Sequence, residues 1–200
     1  MGADDAGREL RRQIRASHPR LREAVVADAL TTMRFRGEGE NFDSRLDALR
    51  HIVRLAWCSD AFLGQVLYRV KARMLARGIP VIPRIAHHLA MTIAQISIGD
   101  PVVVEPGIYV VHGQVVVDGL VRIGAGAVLA PFVTIGLRAG DFNGPTLEPG
   151  VQVGTGAKII GPVRIGAGAQ IGANAVVVQD VASGDTVVGI PARRIPARRM

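Results

Sequence analysis

One cysteine in 200 residues, Cys58, excludes an intramolecular disulfide and any cysteine-rich zinc site. Aromatic side chains are scarce as well, at 4% of the chain, which leaves too few for an aromatic-centred core. No stretch reaches the roughly 18 apolar residues of a membrane span. The opening MGADDAGRELRRQ has no apolar run of the signal-peptide kind. A cytoplasmic protein with no membrane partner is the expectation. What the chain does have is 24 glycines and a 48% apolar fraction rich in Val, Ile and Ala. With only 20% charged residues, wholesale disorder is not expected. Small aliphatics and glycine together point to a core built in thin repeated layers.

The net charge of +7 is unevenly spread. Residues 1–97 carry 16 basic and 10 acidic side chains, whereas residues 98–192 carry 4 basic and 7 acidic. The final RRIPARRM adds four arginines. Basic residues are not interleaved with stacking aromatics, and no nucleic-acid module is recognisable, so no nucleic-acid partner is expected. Most of the charges read as solvated helix faces.

The composition changes near Ile96. Upstream, apolar residues recur at helical spacing. Ser59 is a plausible N-cap and Gly78 a plausible C-cap for a helix whose apolar stripe is Phe62, Val66, Val70 and Met74, flanked by Leu63 and Leu67. A second helix is predicted from Asp43 to about Trp57, with Leu46, Leu49, Val53 and Ala56 on one face. A third is predicted to start at Pro83, well placed for a first helical turn, and carries Ile85, Leu89 and Ile93. Pro19 divides two earlier basic segments.

Downstream the period becomes six. Aliphatics fall at Ile98, Val104 and Val110, then at Val117 after one extra residue, then at Ile123, Leu129 and Ile135. After an interruption come Leu147, Val153, Ile159, Ile165, Ile171 and Val177. A small or branched residue follows four places later in many hexads, as at Ala127, Val133, Val151, Ala157, Val163, Ala169 and Ala175. This phasing predicts a parallel β-helix: each aliphatic points inward and stacks on its equivalent in the next coil. The expected layout is an α-helical region over 1–97, the β-helix over 98–192 and a basic tail over 193–200. The turn-forming LRAGDFNGPT at 137–146 is expected to be a loop thrown out from the prism.

Three stretches of the chain resemble the hexapeptide-repeat acyltransferases, and most closely the serine acetyltransferases. They are GIYVVHGQVVV at 107–117, VGTGAKIIGPVRIGAGAQIGANAVVVQDV at 153–181, and VVGIPARRI at 187–195. The likeness runs from Phe62 to Arg194, about two thirds of the chain. It implies a left-handed β-helix, an exception to the usual right-handed crossover. It also implies a homotrimer, with a hexamer possible, and acetyl-CoA held between neighbouring prisms. The activity implied is O-acetyl transfer to a small-molecule hydroxyl, that of serine or a serine-like acceptor.

Four of the five histidines, His18, His51, His87 and His88, lie in the helical front and read as surface or interface residues. His112 alone lies among the repeats. Acetyl transfer from a thioester to a hydroxyl requires removal of a proton near neutral pH, which imidazole suits. By resemblance, His112 matches the family's catalytic base. Two departures accompany it. The family carries an Asp before this His, where Val111 stands here. It also carries an Arg-His pair after the loop, where Asn143-Gly144 stands here. Glu105 or Asp118 is a candidate substitute for the missing carboxylate, with Asp141 and Asn143 as further supporting groups. Arg138 is the candidate cation for an acceptor carboxylate. By resemblance the cofactor lies along Gly136, Thr155, Gly156, Ala157 and Ala173, with Lys158, Arg193 and Arg194 available to its phosphates. No metal is expected: a γ-class carbonic anhydrase needs three histidines at each site, and the repeats offer one. A saccharide or other metabolite hydroxyl as acceptor, and a non-catalytic trimeric scaffold, stay open as alternatives.

Overall fold

The computed structural model describes residues 3–196. Helices α1 (Ala3–Ser17), α2 (Leu21–Arg36), α3 (Arg45–Cys58), α4 (Asp60–Ala76) and α5 (Val81–Ala94) precede a parallel β-helix. Pro19 sits between α1 and α2 as expected, and the Ser59 hydroxyl caps α4 by accepting from the Phe62 N–H at 3.3 Å. The helix ends at Ala76, and Gly78 follows in the left-handed region (φ 73°) with its N–H on the Leu75 carbonyl.

The prism is wound in five coils. The first holds β1 (Ile96–Ile98), β2 (Val103–Val104) and β3 (Tyr109–Val110). The second holds β4 (Val115–Val117), β5 (Leu120–Ile123) and β6 (Val128–Leu129), and the third β7 (Thr134–Gly136), β8 (Asn143–Leu147) and β9 (Gln152–Val153). The fourth holds β10 (Lys158–Ile160), β11 (Arg164–Ile165) and β12 (Gln170–Ile171). The fifth holds β13 (Val176–Val177) and β14 (Thr186–Val188), after which β15 (Arg193–Ile195) folds back antiparallel on β14. The strands stack into three faces: β1-β4-β7-β10-β13, β2-β5-β8-β11, and β3-β6-β9-β12-β14-β15. All thirteen phased aliphatics from Ile98 to Val177 are buried, as are the small residues from Ala127 to Ala175 named above. The core is one column of Val, Ile, Leu and Ala, continued at its base by Ala61, Tyr68, Ala72 and Ala94 of the helices.

The structure departs from the sequence expectation in two places. The interruption at 137–146 is not a loop throughout. Arg138 and Asp141 form an antiparallel bridge around a tight turn, and the chain rejoins the second face from Asn143 as β8, paired with β5 across a register shift between Leu120 and Arg122. The turn is therefore short, because Gly144 lies flat enough on the second coil to continue the sheet.

The second departure is in the helices. The face of α4 that meets the prism is polar and small: Ala61, Gln65, Tyr68, Arg69, Lys71 and Ala72 are buried. Of the apolar stripe, Phe62 packs instead into a second cluster with Ala29, Met33 and Leu55. The expected apolar faces of α3 (Leu46, Leu49, Val53) and α5 (Ile85, Leu89, Ile93) are exposed in the protomer. Asp28, Arg69 and Lys71 are not solvated charges but among the most buried groups in the chain.

Their burial has a single cause. The first coil has a neighbour on one side only, so its outer backbone groups need other partners. Arg69 donates to the carbonyls of Val104 and Glu105, Tyr68 to Val102, Gln65 to Ile108 and Lys71 to Ile98. Asp28 holds Arg69 in a two-pronged ion pair at 2.9 and 3.0 Å and accepts from the N–H groups of Gly107 and Ile108 at 2.9 and 3.1 Å. Burial raises the Asp28 pKa, and the Arg69 guanidinium and the two backbone donors act against that rise.

Asp28→Ala should destabilise the protein by about 3–5 kcal/mol, the usual result of orphaning one partner of a buried pair. In an isolated pair, an apolar double replacement recovers much of that loss. Here Asp28→Leu with Arg69→Met should not recover it, because the backbone groups of the first coil lose their partners too. Urea unfolding of both variants tests this; a double variant as stable as the parent would show an ordinary ion pair and no cap.

Candidate active site

Each coil leaves its third face for the first face of the next coil through a short corner. In successive coils one residue of that corner is left-handed: Gln114 (φ 67°), Phe132 (63°), Gly156 (73°) and Asn174 (56°) stack in a column. Asn and Gly tolerate this region readily; Gln and Phe rarely adopt it, and such backbone concentrates at functional sites. The first of these corners is longer than the next. Residues 111–115 join Val110 to Val116, whereas residues 130–133 join the paired Leu129 to Thr134. The extra residue, visible in the sequence as the slip before Val117, sets His112 outside the prism wall.

His112 is exposed, and among the described residues its ring has no hydrogen bond or ion pair. Its backbone is held from below. The Gln114 N–H donates to the Ala94 carbonyl at the end of α5 at 3.1 Å, and Gly113 lies so close that a Cβ there would stand 1.7 Å from the same oxygen. Only glycine fits between the corner and the helix end.

Beyond His112 the same edge runs through Pro131-Phe132, Thr155-Gly156 and Ala173-Asn174, each coil about 5 Å further along. Thr155 and Ala173 are exposed there, and the Lys158 Nζ donates to the Phe132 carbonyl at 2.6 Å. Ala157 lies at this corner too, but its methyl faces the core, its N–H bonds Gly154 and its carbonyl accepts from Thr134. It supports the ledge from inside and offers a ligand no free donor. The edge thus presents one imidazole at its head and a row of small residues below it, interrupted by the exposed ring of Phe132. Phe132 was absent from the sequence reading. Its signal is an aromatic in a corner slot that later coils fill with Gly156 and Asn174.

The remaining candidates lie elsewhere. Glu105 is on the corner between the second and third faces, where its carbonyl accepts from Arg69. Asp118 is on the corner between the first and second faces, with its carboxylate turned onto the Gly119 N–H at 2.9 Å. Neither pairs with His112 as expected, because the winding puts each on a different edge. Gly136, Arg138, Asp141 and Asn143 share the Asp118 edge, across the first face from His112. Asp141 is occupied as a brace, accepting from the Asn143 N–H and side-chain amide at 2.8 and 2.9 Å, and the Arg138 guanidinium lies over Gly161. Gly136 is buried. Arg193 and Arg194 form β15 at the far end of the third face, Arg194 paired with Asp185 at 2.9 Å. The rest of the basic tail, from residue 197, lies outside the described residues. Gly144 is closed to larger residues, since a Cβ would meet Val121 at 2.5 Å. Among the described residues no group of three or more His, Cys, Asp or Glu side chains could hold a metal ion. No described helix is long and apolar enough to cross a membrane.

Hexad-phased coils and stacked corners define a hexapeptide-repeat β-helix protein. Residues 144–179 match the family Bacterial transferase hexapeptide (six repeats). The chain is 37% identical to serine acetyltransferase of Helicobacter pylori (strain J99) over 136 residues, 66% of this chain and 79% of that protein. It is 38% identical to serine acetyltransferase of Synechococcus elongatus over 152 residues, 74% of this chain and 62% of that protein. Soybean serine acetyltransferase complexed with serine superposes with a TM-score of 0.75 at 27% identity, covering 90% of this chain and 71% of that one. The chain belongs to the serine acetyltransferase family. It spans about 62% of the length of the Synechococcus relative.

Gly113→Ala should force the corner off Ala94 and lower the melting temperature by several degrees, since an added methyl in such a contact costs about 1–3 kcal/mol. An unchanged melting temperature would mean that α5 does not clamp the His112 corner.

Proposed function

We propose that the protein is an acetyl-CoA-dependent O-acetyltransferase that acylates the hydroxyl of serine, with His112 as general base. One observation carries this reading: the only histidine of the repeats stands exposed on a lengthened corner at the head of a ledge of small residues. The relatives from Synechococcus and Helicobacter named serine acetyltransferase, and the soybean enzyme complexed with serine, support the choice of reaction and acceptor.

In this reading the acceptor hydroxyl gives its proton to the His112 imidazole as its oxygen attacks the thioester carbonyl. The carbon–sulfur bond then breaks, and the same proton passes to the departing CoA sulfur. The pantetheine arm lies along Thr155, Gly156 and Ala173, where small side chains admit it. Lys158, Arg193 and Arg194 are available to its phosphates. Gly136 and Ala157 contribute as buried supports of those coils. With Val111 in place of a carboxylate and neither Glu105 nor Asp118 in contact, His112 acts without an acidic partner from its own chain.

A homotrimer is part of the proposal, with a hexamer as its pairwise extension. Val116 on the first face and Ile85, Leu89 and Ile93 on α5 are exposed apolar groups that such an assembly would cover. Packing of prisms would also let Arg138 of one copy approach the His112 edge of the next, where it would meet the serine carboxylate. The protein would act in the cytoplasm.

A second acceptor class is favoured by the closed site at Gly144. The family's second histidine falls there by resemblance, and no side chain fits. A pocket without it, and without an Asp before His112, has lost charge and suits a saccharide or other uncharged hydroxyl.

Thiol release from acetyl-CoA, measured with serine, homoserine and a sugar panel, separates the two. Saturable turnover of serine is expected; turnover of a sugar with none of serine would transfer the reading to the second class. His112→Ala should lower the rate by about 100-fold or more while CoA affinity stays as it was. Equal activity in that variant would place the base elsewhere. Failure of the parent protein to bind CoA would instead favour a scaffold. Light scattering at micromolar concentration should give the mass of a trimer or hexamer; a monomer would remove the shared site.

A further inference from the structure

The arginines of α1 are unlike the other surface charges. Arg8, Arg12 and Arg15 recur at helical spacing and so share one face, which turns toward α4. There they line a cleft of about 680 Å³ with Arg73 of α4 and with His18, just beyond the end of α1. Arg8 is paired with Asp5 at 2.6 Å, and the nearby Glu9 is taken by Gln13. Arg12, Arg15 and Arg73 have no acidic partner among the described residues. Like charges one helical turn apart destabilise an isolated helix. The fold adds to that repulsion by bringing a further guanidinium from α4 against the same space.

A second observation concerns a residue that lines the same space. The His18 Nδ1 is buried and has no hydrogen-bond partner among the described residues. Such orphaned atoms are rare in folded proteins. His18 lines both the arginine cleft and an adjoining hollow of about 290 Å³ bordered by Arg15 and Asp100. Burial, with Arg69 and Lys71 nearby, lowers its pKa, and a neutral imidazole carries one N–H donor.

We propose that this cleft binds a small anion carrying two or more phosphate groups, independently of the acetyltransferase site. Guanidinium forks match phosphate oxygens in pairs. The volume suits a small organic phosphate better than a single inorganic ion. The site is concave, and no exposed aromatic lines it for stacking bases, which favours a metabolite over a nucleic acid. The ligand would tie α1 to α4, the helix that caps the prism. The C-terminal end of α1, beside the cleft, is already joined to the second coil, where Arg122 donates to the Ser17 hydroxyl at 3.1 Å. Occupancy would therefore stiffen the base on which the His112 corner rests.

The test uses the full chain with inorganic pyrophosphate as probe, at constant ionic strength, read by 31P line broadening and by melting temperature. Saturable broadening with a matching rise in melting temperature is expected. Arg73→Ser and the pair Arg12→Ser with Arg15→Ser should each weaken binding about tenfold or more, while Arg20→Ser, a charge-matched change outside the cleft, should not. A thermal effect matched by chloride at the same ionic strength, or identical in all variants, would overturn the proposal. So would binding that survives the cleft substitutions and is lost with Arg193→Ser and Arg194→Ser, or a preference for single-stranded nucleic acid over pyrophosphate.

Discussion

A parallel β-helix has to begin somewhere, and at its first coil a row of backbone N–H and C=O groups has no strand to pair with. The solution here is a polar helix face. Gln65, Tyr68, Arg69 and Lys71 of α4 reach the carbonyls of Ile98, Val102, Val104, Glu105 and Ile108, and Asp28 of α2 takes the amides of Gly107 and Ile108. The Asp28–Arg69 pair is buried, and desolvating two charges is costly unless every lone pair and proton finds a partner. In this cap they find partners in the coil itself. The ion pair and the coil edge therefore satisfy one another, and neither arrangement would be stable alone.

That cap decides where the candidate base stands. α5 packs against α4 and ends at Ala94, two residues before β1, so its last carbonyl lies directly under the corner that carries His112. Gly113 has no room for a side chain because that carbonyl is there. The corner cannot settle inward like those above it, and with one residue more than the next it projects His112 into solvent. The exposed position of His112 is thus built at the junction of two architectures rather than within the repeat. The repeat supplies the other half: coils at 5 Å intervals or so, whose corners carry small residues along the same edge apart from Phe132.

The unpartnered faces of α3 and α5 follow from the same division of labour. The α4 face that meets the prism is used for hydrogen bonding, so the aliphatic stripes of the neighbouring helices are left at the surface of the protomer. In the interior of a coil, by contrast, there is space only for branched aliphatics and alanine, which is why eight aromatic residues suffice for the whole chain.

The period of six was enough to tell which residues of the prism face inward, because every coil repeats the same geometry and leaves the phased aliphatics one direction to point. The thirteen positions from Ile98 to Val177, the helix start at Ser59 and the singular place of His112 were all legible on those grounds. What could not be read was anything that depends on how different edges meet. Glu105 and Asp118 are near His112 in sequence, yet the winding carries them to other corners. Asn143 to Leu147 looks like loop because its turn residues hide a strand that is recruited by β5 through a register shift. Arg69, Lys71 and Asp28 look like solvated charges, since nothing local announces the open coil edge they serve. Local pattern determined the coil and its inward face, whereas the tertiary structure decided the cap and the surroundings of the imidazole, because unpaired backbone groups are satisfied by whatever the fold brings within 3 Å or so, regardless of distance along the chain.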